Sequence, residues 1–222
     1  MQQLTTRSWL SGRSWRKLKS VLHPLPPRAR NDYATHVPVL IGLAASRRIE
    51  RVLEFGCGHY STKTFLNRAA FPDLRQLKSV ENDRAWAETV RGAVGYDERC
   101  VLNVVSGAMC DAVSRFDLES FDLVLVDDSK TAPERVATLR TISLAKPQGP
   151  WIVIHDYEID EYQRTAADFK HRFTFKAYNP HTGLVFNSTD TPDLKALDKR
   201  IRVNSARIEL DDVEGWLRVL RK

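Results

Sequence analysis

The stretch VLEFGCGHYSTKT, residues 52–64, runs from apolar residues through an acid to two glycines one residue apart, and then to a group of hydroxyls. A strand that turns sharply into a helix beside a ligand needs residues in this order. Gly56 and Gly58 carry no Cβ and tolerate positive φ, so the backbone can pass close to a ligand. Ser61 or Thr62 can cap the helix that follows and leave its first N–H groups facing that ligand. Glu54, just inside the strand end, can either fix the loop or accept a ligand's donors.

A dinucleotide fingerprint reads G-x-G-x-x-G and uses its third glycine for close packing of helix on strand. Position 61 is serine here, which argues against NAD and FAD. A bare G-x-G equally marks an ordinary β-to-α turn, so the residues downstream decide its meaning.

The next apolar strand, residues 77–80, ends at Glu81, 23 positions after Gly58, and Asn82, Asp83 and a helical segment with Trp86 follow. An acid at the end of the second strand of a doubly wound sheet is placed to accept both hydroxyls of a ribose. A third strand fits residues 101–105, before Ser106-Gly107-Ala108, and a fourth fits 123–126, ending in Asp127 and Asp128. A fifth, residues 151–154, ends in His155-Asp156-Tyr157. Continuous apolar runs of this kind suit strands covered on both faces by helices. Polar residues recur at the carboxyl ends of strands one, two, four and five, where open α/β sheets bind ligands.

Helices are predicted over 60–69, 83–92, 133–145 and 159–170, with Pro133 suited to a first turn and Pro147-Gln148-Gly149-Pro150 as the break before strand five. Residues 173–178 and 183–187 are β-rich and flank Asn179-Pro180-His181-Thr182, a hairpin-like connection. Two final strands, paired antiparallel at or near the sheet edge, are expected.

The motifs EFGCG at 54–58, Glu81 ending strand two, SGAMCDA at 106–112 and VDDS at 126–129 together resemble the class I S-adenosylmethionine-dependent methyltransferases, over residues 36–188. The resemblance implies a Rossmann-like, doubly wound α/β fold: a mostly parallel seven-stranded sheet with an antiparallel strand near the C-terminal end of the domain. FGCGHYST, VENDRAW, LVLVDDS and VIHDYE are similar to small bacterial O-methyltransferases and to the glucuronoxylan 4-O-methyltransferase group.

By that resemblance, Glu54, Gly56, Gly58 and Ser61 surround the methionine part of S-adenosyl-L-methionine, and Glu81 with Asn82 meets the ribose. The usual Gly-Asp-Ala after strand three is replaced by Ser106-Gly107-Ala108, so the adenine contact falls either to Asp111 or to the backbone of Gly107 or Ala108. Asp127 is expected beside the sulfonium, where a carboxylate balances charge and orients the nucleophile. Methyl transfer depends mainly on alignment, with a base required only when the acceptor must lose a proton. His155 is the expected base, its tautomer held by Asp156 or Asp128. The competing reading makes His155 a substrate-binding or loop-fixing group and Asp156 a helix cap. Asp127, Asp128, Asp156 and His155 are spaced to permit a magnesium or manganese site of the catechol-type O-methyltransferases, but the asparagine that completes such a site is missing after Asp156, and no metal is assigned.

The six histidines form no compact zinc pattern. His36 opens the apolar segment 37–45, a helix expected to cover the pocket, and His59 lies within the glycine loop. Tyr157, Tyr178 and His181 can line an acceptor pocket, or serve packing and hairpin chemistry instead.

At 222 residues, one α/β domain is expected, spanning 31–188 between a basic N-terminal extension, 1–30, and a C-terminal helical extension, 189–222. Residues 1–30 hold seven of the 34 Lys and Arg and no acid, so the remaining 27 face all 28 acids, a formal charge of −1. A balanced core argues against a nucleic-acid partner, which would need a basic face beside the pocket. The arm, with Trp9, Leu10, Leu18, Val21 and Leu22, suits peripheral membrane or protein contact, an organellar targeting peptide or a solvated extension. Three cysteines without C-x-x-C spacing point to a reducing compartment, and no apolar run approaches the roughly 20 residues that cross a bilayer. A cytoplasmic protein is expected. Residues 213–220 read as an amphipathic helix for docking or for pairing two copies.

The leading expectation is therefore methylation, at oxygen, of a small-molecule or carbohydrate-like acceptor. The alternatives are an NAD-dependent oxidoreductase, an aminopropyltransferase using decarboxylated cofactor, and a protein that binds S-adenosylmethionine without chemistry.

Overall fold

A computed structural model of the protein describes residues 31–129 and 131–221; the basic arm, residues 1–30, lies outside them. Seven strands are present: β1 (Arg51–Phe55), β2 (Gln76–Glu81), β3 (Cys100–Val104), β4 (Leu123–Val126), β5 (Trp151–His155), β6 (His171–Phe175) and β7 (Thr182–Phe186). They form one sheet in the order β3-β2-β1-β4-β5-β7-β6. The first five pair in parallel, and β7 runs antiparallel to both β5 and β6. The expected Rossmann-like α/β class and the reversed strand near the C-terminal end are both present. The chain leaves β1 toward β2 and returns on its other side at β4. Ligands in open α/β sheets bind at such a switch point.

Eight α-helices accompany the described strands: α1 (Val37–Ser46), α2 (Ser61–Leu66), α3 (Arg84–Val94), α4 (Met109–Val113), α5 (Ala132–Ala145), α6 (Asp160–Thr165), α7 (Leu194–Asn204) and α8 (Val213–Leu220). Alternate strand residues supply two cores. Val52, Leu77, Leu125 and Val153 pack with α1, α2, α7 and α8. Leu53, Phe55, Val126 and Ile154 pack with α4, α5 and α6 on the other face. Burial on both faces is why these strands read as unbroken apolar runs.

Two predicted helices end early for local reasons. Helix α2 stops at Leu66 because Asn67 Oδ1 accepts the N–H groups of Ala69 and Ala70 and turns the chain. Helix α6 stops at Thr165, and the Lys170 N–H then bonds to Asn187 Oδ1, which starts β6 two residues before the predicted position. At the other end of β6 the Lys176 N–H bonds to Asp198 Oδ1 on α7, so the strand ends short of Tyr178. Helix α4 is absent from the prediction, and α7 lies within the 189–222 segment expected to be helical without bounds of its own.

Helix α8 has its predicted bounds, and its apolar side is used within the chain. Trp216, Leu217 and Leu220 are buried in the same cluster as Val37, Leu40 and Ile41 of α1. Helix α7 approaches α1 at Gly42, where a Cβ would stand 2.4 Å from Leu197 Cδ1. An Arg200 guanidinium N–H closes the end of α8 on the Leu220 carbonyl at 3.1 Å. With apolar neighbours on all sides, α1 is held firmly, and its N-terminus delivers Thr35 and His36 to the ends of β4 and β5.

Candidate functional site

The glycine loop closes against β4. Gly56 has φ +86°, and a Cβ there would lie 2.3 Å from the Asp127 carbonyl oxygen. The loop is tied to β2 through Gly56 N–H to Val80 O, and the β4 end to β1 through Asp127 N–H to Phe55 O, each at 2.9 Å. Only a glycine satisfies both the left-handed backbone and this contact.

Glu54 is fully buried, and one of its oxygens takes up the predicted loop-fixing role, while Oε1 has no hydrogen-bond partner among the described residues. Its Oε2 accepts the Thr62 hydroxyl at 2.9 Å and the Ser79 hydroxyl, while Thr62 Oγ1 accepts the Gly58 N–H at 3.1 Å. Glu54 thus fixes the loop from beneath. Burial pushes its carboxyl up to about 7, against the opposing effect of hydrogen bonds from Ser61, Ser79 and Thr62. The capping expected of Ser61 or Thr62 is not observed: Tyr60 is the N-cap, no side chain caps α2, and Thr62 uses its hydroxyl as the bridge just described. Ser61 is buried, with its Oγ 3.0 Å from where a Gly58 Cβ would stand.

Glu81 is 7% exposed at the end of β2. Its Oε1 accepts the N–H groups of Asn82 and Asp83 at 2.8 and 2.9 Å. Its Oε2 meets only the Cys57 thiol, a weak donor at 3.7 Å, and so keeps accepting capacity on the glycine-loop side. Asn82 Nδ2 donates to the Gly107 carbonyl at 3.3 Å and ties the ends of β2 and β3 together. Gly107, at φ +95°, and Ala108 are exposed, and Asp111 sits in the first turn of α4. Trp86, expected only within a helical segment, donates its Nε1 to the Cys57 carbonyl at 2.7 Å, and its ring meets His59 edge-on at 5.0 Å.

Between β4 and β5 lies a buried charge network. Its centre, Arg135 on α5, was not singled out in the sequence because a mid-helix arginine normally reads as surface. Arg135 Nε donates to the Asp128 carbonyl at 2.8 Å. One terminal nitrogen serves Asp156 Oδ2 at 2.7 Å and the His155 carbonyl at 3.3 Å, and the other serves Asp127 Oδ1 at 3.0 Å and the Ser129 carbonyl at 2.9 Å. All five guanidinium N–H groups are therefore used. Asp156 turns its carboxylate to Arg135 from a left-handed backbone, φ +57°, and does not cap α6, whose N-cap is Ile159.

His155 is buried with both ring nitrogens engaged: Nδ1 lies 3.1 Å from Asp127 Oδ1, and Nε2 lies 3.0 Å from the Thr35 hydroxyl. Asp156 is farther from Nδ1, at 3.5 Å, so Asp127 holds the ring where Asp156 or Asp128 was expected to. Asp128 points away, accepting the Thr138 hydroxyl at 2.6 Å, and burial pushes its carboxyl up to about 6. Burial alone would raise Asp127, but the neighbouring His155 and Arg135 hold its carboxyl well below the usual range. His155 is raised, because Asp127 and Asp156 outweigh its desolvation. His36, 1% exposed, meets His155 edge-on with ring centroids 5.0 Å apart. Burial, and then His155, push it down to about 3.

Of the remaining predicted pocket residues, Tyr157 and Tyr178 are engaged elsewhere and His181 is held through its backbone. Tyr157 packs its ring on Gly183, Tyr178 donates its hydroxyl to the Ser205 carbonyl at 3.4 Å, and the His181 N–H is bound by Glu158.

No protein-family model matches the chain, and no curated protein matches it. Solved structures do. Human methyltransferase-like protein 13 in complex with SAH is 16% identical with a TM-score of 0.57, over 85% of this chain and 93% of that one. A probable spermidine synthase from Corynebacterium glutamicum is 14% identical with a TM-score of 0.55, over 88% and 79% of the two chains. An O-methyltransferase family protein from Burkholderia thailandensis is 14% identical with a TM-score of 0.51, over 69% and 56%. The chain has the fold of the class I S-adenosylmethionine-dependent methyltransferases, a fold that the spermidine synthases share.

Proposed function

We propose that this protein is an S-adenosylmethionine-dependent methyltransferase that acts at oxygen on a small-molecule or carbohydrate-like acceptor. The observation that carries the proposal is the closure of Gly56 on Asp127 beside Glu81, whose Oε2 keeps capacity for a ligand's hydroxyls. S-adenosylmethionine supplies an electrophilic methyl group on a sulfonium. In this chain Gly56 and Gly58 let the backbone come close, with Ser61 beside them, and Glu81 with Asn82 accepts the ribose. The exposed backbone of Gly107 and Ala108 takes the adenine end. Asp127 places negative charge next to the transfer point, and the His155–Asp127 pair carries out activation of the acceptor hydroxyl.

The fold is shared with aminopropyl transfer, but the charge pattern favours methyl transfer. A polyamine acceptor carries several cationic amines, whereas Asp127 and Asp156 with Arg135 between them sum to a single negative charge. The serine at position 61 continues to argue against NAD. Three free cysteines, Cys57, Cys100 and Cys110, favour a cytoplasmic location, and no helix among the described residues is long and apolar enough to cross a membrane.

The test is S-adenosylhomocysteine formation from S-adenosylmethionine with a panel of sugars, uronic acids and phenols. One acceptor class should turn over, and His155→Ala should slow it by about 100-fold or more, the scale of proton-transfer catalysis. Retained turnover in His155→Ala removes that residue from acceptor activation. Binding without turnover on any acceptor would favour a binding module.

A further inference from the structure

We propose that His36, Asp127 and His155 bind one divalent first-row transition-metal ion. One ligand atom from each of the three lies within 4.8 Å of the others. The donors come from three separate elements: the residue preceding α1, the end of β4 and the end of β5.

His36 supplies the second, independent observation. It is almost wholly buried, yet neither Nδ1 nor Nε2 has a hydrogen-bond partner. Buried polar groups are rarely left unmet, because each forfeits its hydration without return. A neutral imidazole with a free lone pair, aimed at a carboxylate and a second imidazole, has the chemistry of a metal ligand.

The surroundings fit an ion. Asp127 and Asp156 outnumber Arg135 by one charge, so with neutral imidazoles the cluster carries a net −1 that attracts a cation. Arg135 occupies Asp127 Oδ1, and no described residue donates to Oδ2, which remains for the ion. His155 Nδ1 stands 3.1 Å from Oδ1 of the same carboxylate, so the ring nitrogen and this carboxylate face each other closely enough to share one ion with bonds of roughly 2.0–2.2 Å. The Thr35 hydroxyl at Nε2 fixes the ring from the far side, as outer partners of metal-bound histidines do.

The donor set selects the metal. Two imidazoles and one carboxylate suit zinc, cobalt or iron, whereas magnesium and calcium prefer all-oxygen sites. Three protein ligands leave positions open on the ion. Resting on the methyl-transfer reading for its use alone, the ion would bind the acceptor hydroxyl and lower its pKa so that the proton passes to solvent, and the His155–Asp127 pair would then activate the acceptor by holding the ion rather than by taking the proton.

The experiment uses the full chain, stripped with a chelator and titrated with cobalt(II) chloride while visible absorption is read. One cobalt per chain is expected, displaced by zinc but not by millimolar magnesium, and His36→Ala should weaken uptake at least tenfold. Because His36 is buried, thermal melts check that variant, and His36→Asn is titrated if the alanine form does not fold. No stoichiometric uptake, or uptake unchanged in the folded His36 variant, overturns the site, as does one-for-one displacement by magnesium. Calorimetry with S-adenosylhomocysteine on the same samples separates the two readings. Homocysteine-cofactor binding without cobalt uptake overturns the metal site and leaves methyl transfer standing. Cobalt uptake without cofactor binding supports the site and overturns methyl transfer.

Discussion

Arg135 lies 3.0 Å from Asp127 Oδ1 while it also holds Asp156 at 2.7 Å, so one buried guanidinium locks together the carboxylates that follow β4 and β5. The geometry at the carboxyl ends of β4 and β5 depends on this helix residue as much as on the strands themselves.

Replacing Arg135 with methionine should destabilise the protein by about 3–5 kcal/mol, because it leaves two carboxylates partly buried without their cation. Lysine should restore only part of the loss, since a point charge cannot reach the five acceptors that the planar fork serves. Urea melts of the two variants measure both. A loss under about 1 kcal/mol for Arg135→Met would show that the network contributes little to the fold.

Gly56 and Gly58 should differ sharply. An alanine at 56 meets the Asp127 backbone at 2.3 Å in a left-handed conformation and should cost about 3 kcal/mol, combining the conformational and overpacking penalties. An alanine at 58 meets only the Ser61 hydroxyl at 3.0 Å, which can rotate away, and should fold while losing cofactor affinity. Equal thermal stability of the two variants would contradict the interlock of β1 and β4.

Glu54 makes stability depend on pH. Its folded carboxyl, near 7, stands above its ordinary 4.5, so the folded protein keeps a proton that the unfolded chain releases between these values. The stabilising contribution is complete below about pH 4.5 and is lost as pH rises through 7, by roughly 3 kcal/mol in total. Glu54→Gln removes that share of the pH dependence. Denaturant melts at pH 5 and pH 8 should show a smaller drop in the variant than in the parent, and identical drops would mean that Glu54 is ionised at low pH in the fold.

The sheet was legible in the sequence because its central strands are buried on both faces and end in polar residues, as residues 123–128 do. The helices were legible where periodicity and breakers agreed, as over 133–145. Their ends were not, because Asn67 and Asn187 act through side-chain bonds to backbone groups that spacing does not reveal. At the site, Gly56, Glu81, Asp127 and His155 stood out as strand-end residues. Arg135 and Thr35 did not, since an arginine inside a helix and a threonine before one are ordinary until the fold brings them to β5. The sequence left Glu54 with two roles, and the fold shows the loop-fixing one through Thr62 and Ser79. His36 read either as helix-entry polarity or as a residue near the cofactor, and its lack of hydrogen-bond partners is visible only in three dimensions.

The central claim is that the strand-end site holds S-adenosylmethionine, and calorimetric titration of the purified protein with S-adenosylmethionine and S-adenosylhomocysteine, beside NAD, tests it most directly. Saturable binding of both sulfur compounds, weakened in Glu81→Ala by about 1–3 kcal/mol through loss of the ribose acceptor, is the expected result. Binding of NAD alone, or sulfur-compound affinity unchanged in Glu81→Ala, would contradict the assignment.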